Sequence, residues 1–281
     1  MATTATENQN LEKTITTGTN GDHLGDATRR YDYGGNPMTH VHSGPDERLA
    51  AFGGEFQPGL YRSTQQRKFA NPAPLGLSAF ALTTFVLSLV NVNARGLAEP
   101  NVVLSLAFGY GGLVQLLAGM WEMAVGNTFG ATALSSFGGF WIAYAILLTP
   151  GFAALSPYTD AADEASALGF FLTGWFIFTF ILLVLTLKST VMFFLLFFTL
   201  DLAFLMLACG EFAAANGNAA SSLTLKHAGG GFGLLAAFLA WYNAFAGMAD
   251  KSNSFFLIPV IHFPWSDKGR EARGKTPREQ V

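Results

Sequence analysis

The sequence predicts an all-α integral membrane protein that crosses the bilayer six times. Three observations carry this. Six apolar segments each approach the roughly 20 residues that a helix needs to span the hydrocarbon core. Charged residues make up only 12% of the 281-residue chain, about half the 25% usual for a soluble domain. Phe (27) and Gly (31) are both abundant, a pairing that suits closely packed membrane helices. The net charge of −3 argues against a general affinity for nucleic acid. Cys209 is the single cysteine, which excludes internal disulfides and cysteine-based metal clusters. Neither a metal nor a cofactor is expected.

Residues 1–70 form a polar head, rich in Thr, Asn, Gly and Asp, expected to be cytoplasmic and partly disordered. His40 and His42 lack the further ligands a metal would need. No basic start followed by an apolar run occurs in residues 1–50, so the first membrane helix is expected to direct insertion itself. Phe52, Phe56, Leu60 and Tyr61 suggest a short helix lying at the membrane surface. The chain then changes solvent at Asn71-Pro72-Ala73-Pro74. Asn71 can cap free backbone N–H groups, Pro72 suits a first helical position, and Pro74 still falls in the first turn.

From there the membrane domain is expected to occupy residues 71–250, with spans at 75–92, 102–121, 131–148, 168–187, 191–210 and 228–248. Lys188-Ser189-Thr190 reads as a tight turn that separates the fourth span from the fifth. Residues 251–281 form a basic tail. Placing both tails inside gives the cytoplasmic face Arg62, Arg67, Lys68, Lys188, Lys251 and the basic residues of 268–278. The opposite face keeps little beyond Arg95, Lys226 and an acidic loop with Asp160, Asp163 and Glu164. Spans one, three and five then begin on the cytoplasmic side, near Asn71, Asn127-Thr128 and Ser189-Thr190. Their positive dipole ends would attract an anion if they converge.

Few polar groups interrupt the spans. Asp201 lies mid-span, where a charge costs at least about 2.5 kcal/mol on insertion scales. It reads either as a proton-coupling carboxylate or as a paired structural one. Glu122, at the end of span two, is a second proton-coupling candidate but more simply a boundary residue. Gln115 shares that span. Thr83, Thr84, Thr132, Ser135 and Ser136 can line a path or bond their own helix carbonyls. The glycine runs at 109–112, 126–130, 138–139 and 229–233 suit close helix contacts. They lack the Lys-Ser/Thr ending of a phosphate loop. No Ser/His/Asp constellation and no His-Glu-x-x-His motif is present, so no enzyme is expected.

Asn71-Pro72-Ala73-Pro74-Leu75-Gly76-Leu77, followed by Phe80 and Thr83-Thr84, resembles the signature of the acetate uptake transporter family. That family covers microbial acetate–succinate permeases and fungal acetate and ammonia-export proteins. Tyr110-Gly111-Gly112 with Gln115, Gly126-Asn127-Thr128-Phe129-Gly130 and Phe140-Trp141 resemble it in order and spacing. The long head, with Phe255-Phe256-Leu257-Ile258-Pro259-Val260 and His262-Phe263-Pro264-Trp265, is similar to its fungal branch. The resemblance implies a six-helix protomer in a plasma-membrane homohexamer, each protomer with its own path for small carboxylates. It further implies a central apolar constriction, which falls on Phe80, Phe137 and Leu200. Bacterial members carry Tyr where Phe137 stands, so the constriction here lacks a hydroxyl. A substrate vestibule is expected from Asn71, Pro72, Leu75, Thr84, Tyr110, Gln115, Asn127 and Thr128.

The expected function is proton-coupled transport of acetate and related monocarboxylates, with succinate or lactate as further substrates. A channel for ammonia or another neutral solute is the first alternative. A sensor that signals through its polar head and basic tail is the second.

Overall fold

A computed structural model describes residues 69–97, 99–271 and 273–274. The polar head, with His40, His42 and the surface-helix cluster at 52–61, lies outside them. Six long helices follow one another: α1 (Ala73–Asn91), α2 (Asn101–Ala124), α3 (Thr128–Leu148), α4 (Ala161–Leu185), α5 (Val191–Ala215) and α6 (Ala219–Met248). Each is long and apolar enough to cross a membrane. A short α7 (Asp267–Glu271) follows in the tail. The chain is therefore a multi-pass membrane protein.

Side-chain caps, rather than hydropathy, set where four of these helices begin. Asn127 accepts a hydrogen bond from the Gly130 amide (2.9 Å), Asp160 from Ala162 (3.0 Å), Thr190 from Phe193 (3.2 Å) and Asn218 from Ser221 (3.1 Å). Each satisfies a backbone N–H that the first helical turn leaves unpaired. Asn71 accepts from Ala73 (3.1 Å), so α1 starts at Ala73 and Pro72 precedes it rather than opening it. The caps also correct two expected boundaries. Helix α4 begins at Ala161, not near 168, and α6 at Ala219, not near 228. Asp163 and Glu164 thus belong to the first turn of α4, where the helix dipole favours them, not to a loop. Lys226 and His227 sit inside α6. Apolar composition marks the lipid-facing length, and these helices extend beyond it.

The packing follows a simple order. Helix α6 lies between α1 and α5, α5 lies between α6 and α4, and α2 and α3 pack together against α1. Aromatic rings close the circle, because Phe137 of α3 meets Trp175 and Phe178 of α4 and Phe197 and Phe204 of α5. Glycine permits the closest approaches. A Cβ at Gly233 of α6 would lie 2.2 Å from the Ser88 hydroxyl of α1, and one at Gly138 of α3 would lie 2.7 Å from the Leu116 backbone nitrogen of α2. Helix α2 is interrupted at Gly109–Val114 by a π-turn. The glycine run read from the sequence as a contact surface thus also accommodates a local rewinding, a device that occurs mostly as single bulges inside α-helices.

After α6 the chain returns across the turn between α4 and α5. Ile261 accepts the Val191 amide (2.8 Å), His262 pairs with Thr190, and the Trp265 indole donates to the Leu187 carbonyl (2.7 Å). Phe263 packs edge-on against Phe194 and stacks on Trp265. Burial, and then the nearby Lys268 charge, holds the His262 pKa below the ordinary histidine value. A histidine disfavoured in its charged form stabilises the docked state fully above its free pKa of about 6.5, and that contribution is lost as pH falls through the lower folded value. Amide exchange at Val191 is therefore expected to accelerate between pH 7 and pH 5 relative to its intrinsic rate. His262→Gln should remove that pH dependence, and an unchanged profile in the variant would refute it.

Candidate functional site

Two cavities run along the bundle axis and meet at shared walls. The larger, about 610 Å³, reaches the end at which α2, α4 and α6 begin, where Pro100, Ala161, Glu164 and Leu223 line it. The smaller, about 20 Å³, lies toward the opposite end and is lined by Leu77, Gln115, Phe129, Phe193 and Phe197 among others. Phe80 and Leu200 line both. Phe137 lines the smaller, with its ring centre 5.9 Å from that of Phe80. Phe80, Phe137 and Leu200 are 5%, 3% and 5% exposed. The three residues, from three helices, stand together between the cavities.

The walls beside this narrowing carry polar atoms with no bond among the described residues. Gln115 is fully buried and neither its amide nitrogen nor its amide oxygen has a partner. On the larger-cavity side, the Thr84 hydroxyl and the Trp141 indole N–H are likewise buried and unpartnered. Buried polar groups normally find partners, so such atoms point to a visiting water or ligand. All three residues can donate to a carboxylate without presenting a formal charge. Trp141 was visible in the sequence only as half of Phe140-Trp141. Its signal was position, because tryptophan in membrane helices gathers at the interfaces, whereas this one lies within α3 and is buried.

The expected vestibule is distributed differently. The starts of α3 and α5 do meet, with α1 close by, but they meet as an aromatic plug. The rings of Phe129, Phe193 and Phe197 lie within 5.1–5.6 Å of one another, at steep angles. The 20 Å³ left there holds about one water. Thr84 lies on the far side of the narrowing, in the larger cavity, and Gln115 in the smaller. Leu75 turns outward, 49% exposed, because it is two residues from Leu77 and helical residues so spaced face different ways. Asn71, Pro72, Tyr110, Asn127 and Thr128 line neither of these two cavities.

The two carboxylates read as proton-coupling candidates, Asp201 and Glu122, line neither of these two cavities. Asp201 follows Leu200 by one residue, a rotation of about 100° around the helix. It lines neither cavity, is buried, and keeps one carboxylate oxygen without a partner. Eleven residues from Phe212, it shares the face of α5 whose Phe212 covers Gly169 of α4. Glu122, in the last turn of α2, is fully buried and accepts a 2.6 Å hydrogen bond from the Asn127 amide.

Comparison with known proteins agrees with the six-helix membrane fold. The GPR1/FUN34/yaaH family matches residues 52–265. Acetate permease A of Emericella nidulans is 63% identical over 90% of this chain and 85% of its own length. Ammonia transport outward protein 2 of Saccharomyces cerevisiae is 51% identical over 79% of this chain and 77% of its own. The succinate-acetate/proton symporter SatP of Escherichia coli is 38% identical over 69% of this chain and 96% of its own. Among solved structures, that of the bacterial acetate channel SatP aligns at a TM-score of 0.59 with 33% identity, covering 69% of this chain and 99% of that one. With the family match spanning all six membrane helices, the chain belongs to the GPR1/FUN34/yaaH family.

Proposed function

We propose that this protein carries acetate and related short monocarboxylates across the membrane together with a proton. The observation that carries the reading is the meeting of two cavities at Phe80 and Leu200, flanked by the uncharged donors of Thr84, Trp141 and Gln115. A bare carboxylate entering a dry aromatic narrowing loses its hydration and finds no fixed positive charge, which is costly. The neutral acid avoids that cost, so the proton travels most economically on the substrate itself. The three donors then replace part of the lost hydration on each side, while the rings exclude larger solutes. Names borne by relatives, an acetate permease and a succinate-acetate/proton symporter, have acetate in common and support it as the substrate here.

The proposed setting is the plasma membrane, with both termini cytoplasmic and six copies assembled in lipid. Lys188, Lys251, Arg270 and Arg273 near the α1 and α5 starts, against Arg95 and Lys226 toward the other end, support that orientation. The larger cavity would then face outward and the aromatic plug inward. Reactivity of Cys209 toward impermeant reagents does not report either end, so single cysteines placed at residues 97 and 253 of a Cys209→Ala background test the topology.

The central test is flux through the purified, reconstituted chain over a pH series, with acetate, lactate, succinate and ammonium compared. Acetate-driven proton entry that falls as pH rises is the expected result. Flux with ammonium salts and none with acetate would favour the second reading, ammonia passage, which a relative's name and the uncharged narrowing both support. Gln115→Leu should raise the acetate KM about 2- to 10-fold, the worth of one hydrogen bond of 0.5–1.5 kcal/mol. The variant should fold normally, because the amide it removes has no protein partner among the described residues. An unchanged KM would remove Gln115 from the path.

A further inference from the structure

The larger cavity has charged groups at its mouth that the central narrowing does not use. Lys226 Nζ lies 2.9 Å from Glu211 Oε1, and the two side chains are 38% and 16% exposed. Both line the cavity, together with Glu164 from α4 and His227 from α6. The His227 Nε2 is buried and has no hydrogen-bond partner. Tyr144 of α3 lines the same space. An ammonium has three donors, and the contact with Glu211 occupies one of them. This is therefore a cation held in place by one carboxylate, in a cavity also lined by a second carboxylate and an imidazole, at the wide end of a passage whose deeper walls are uncharged.

We propose that this mouth is a monocarboxylate filter: Lys226 docks the single carboxylate of an arriving substrate, and Glu211 and Glu164 repel a second one. The inference rests on the carboxylate-transport reading above and deepens it by naming residues that set substrate class. The chemistry follows from charge count. A monocarboxylate brings one negative group, which meets Lys226 while its methyl or short alkyl end faces the apolar wall of Leu207, Leu223 and Phe204. A dicarboxylate must place its second negative group in the same cavity as two protein carboxylates. Complementary charge favours the first, and like-charge juxtaposition penalises the second. Glu211 also keeps Lys226 from acting as a permanent trap, because the substrate exchanges for a carboxylate already present.

The test is reconstituted flux with acetate as substrate and succinate as competitor, in wild type and four variants. Lys226→Met should raise the acetate KM about 5- to 20-fold with little change in maximal rate, the signature of lost docking rather than lost passage. Glu211→Gln and Glu164→Gln should each strengthen succinate competition relative to acetate about 3- to 10-fold. The double variant Lys226→Met with Glu211→Gln leaves neither partner of the ion pair charged and separates docking from bracing. If the pair only ties α5 to α6, the double variant recovers wild-type KM, and the proposal is overturned. If Lys226 docks substrate, its KM stays raised. Should Lys226→Met alone fail to elute as folded protein, the double variant and the two glutamate variants still decide the matter. Absence of any acetate flux in wild type would defeat the transport reading itself. Wild-type flux with unchanged KM in the double variant and unchanged succinate competition in the glutamate variants defeats the filter alone.

Discussion

Leu200→Ala is expected to speed acetate passage about 5- to 10-fold, an effect of roughly 1.4 kcal/mol or less on the limiting barrier, and to admit lactate more readily. Leu200 is one of two side chains that line both cavities, so trimming it to Cβ joins the spaces it now separates. A Leu→Ala change in a sealed core costs about 2–5 kcal/mol, part of which is the cavity left behind. Here the vacated volume merges with an existing 610 Å³ cavity, so the loss should fall at the lower end, about 2 kcal/mol. Leu200→Met keeps the volume and should leave rate and selectivity near wild type. Phe80→Ala, across the narrowing, should act in the same direction with a larger stability cost. Initial rates for acetate and lactate, measured beside thermal melts, check all three. Unchanged rates and selectivity in both alanine variants would mean that the narrowing does not limit flux.

The membrane architecture was legible because each span must hide its backbone in lipid, and that demand writes long apolar runs into the sequence. The turn at Lys188-Ser189-Thr190 was legible for a related reason, since Thr190 is both a break in the run and a cap. What hydropathy misplaced were the starts of α4 and α6, because these helices extend past the apolar run and begin where Asp160 and Asn218 satisfy free amides. The closeness of Phe80, Phe137 and Leu200 came from resemblance, since no local pattern says that three distant residues face one another. The plug of Phe129, Phe193 and Phe197 was missed for the same reason. Three helix starts suggested an anion-attracting end, but a helix dipole is indifferent to the aromatic rings that fill the space before it. Asp201 follows Leu200 in sequence, but one residue is a turn of about 100° around the helix, and it lines neither cavity.

Asn127→Ala is expected to be the more damaging change to the fold, at about 2–4 kcal/mol, the sum of a lost cap and a stranded buried acceptor. Its Oδ1 accepts the Gly130 amide at the start of α3, and its Nδ2 donates to Glu122 Oε2 near the end of α2. One side chain thus closes the connection between two membrane helices. Glu122 Oε1 already has no partner, so losing Asn127 would leave the whole carboxyl group unanswered in a fully buried position. Gly130→Ala should fail similarly, because its Cβ would lie 2.2 Å from Asn127 Nδ2. Glu122→Gln separates a bracing role from a proton-carrying one, since the amide oxygen of glutamine still accepts from Asn127. If Glu122 is a brace, Glu122→Gln keeps both its melting temperature and acetate-driven proton entry, while Asn127→Ala loses stability by thermal melt. A Glu122→Gln protein that melts like wild type yet moves acetate without protons would instead place Glu122 in the proton path, outside the two cavities that Phe80 and Leu200 line.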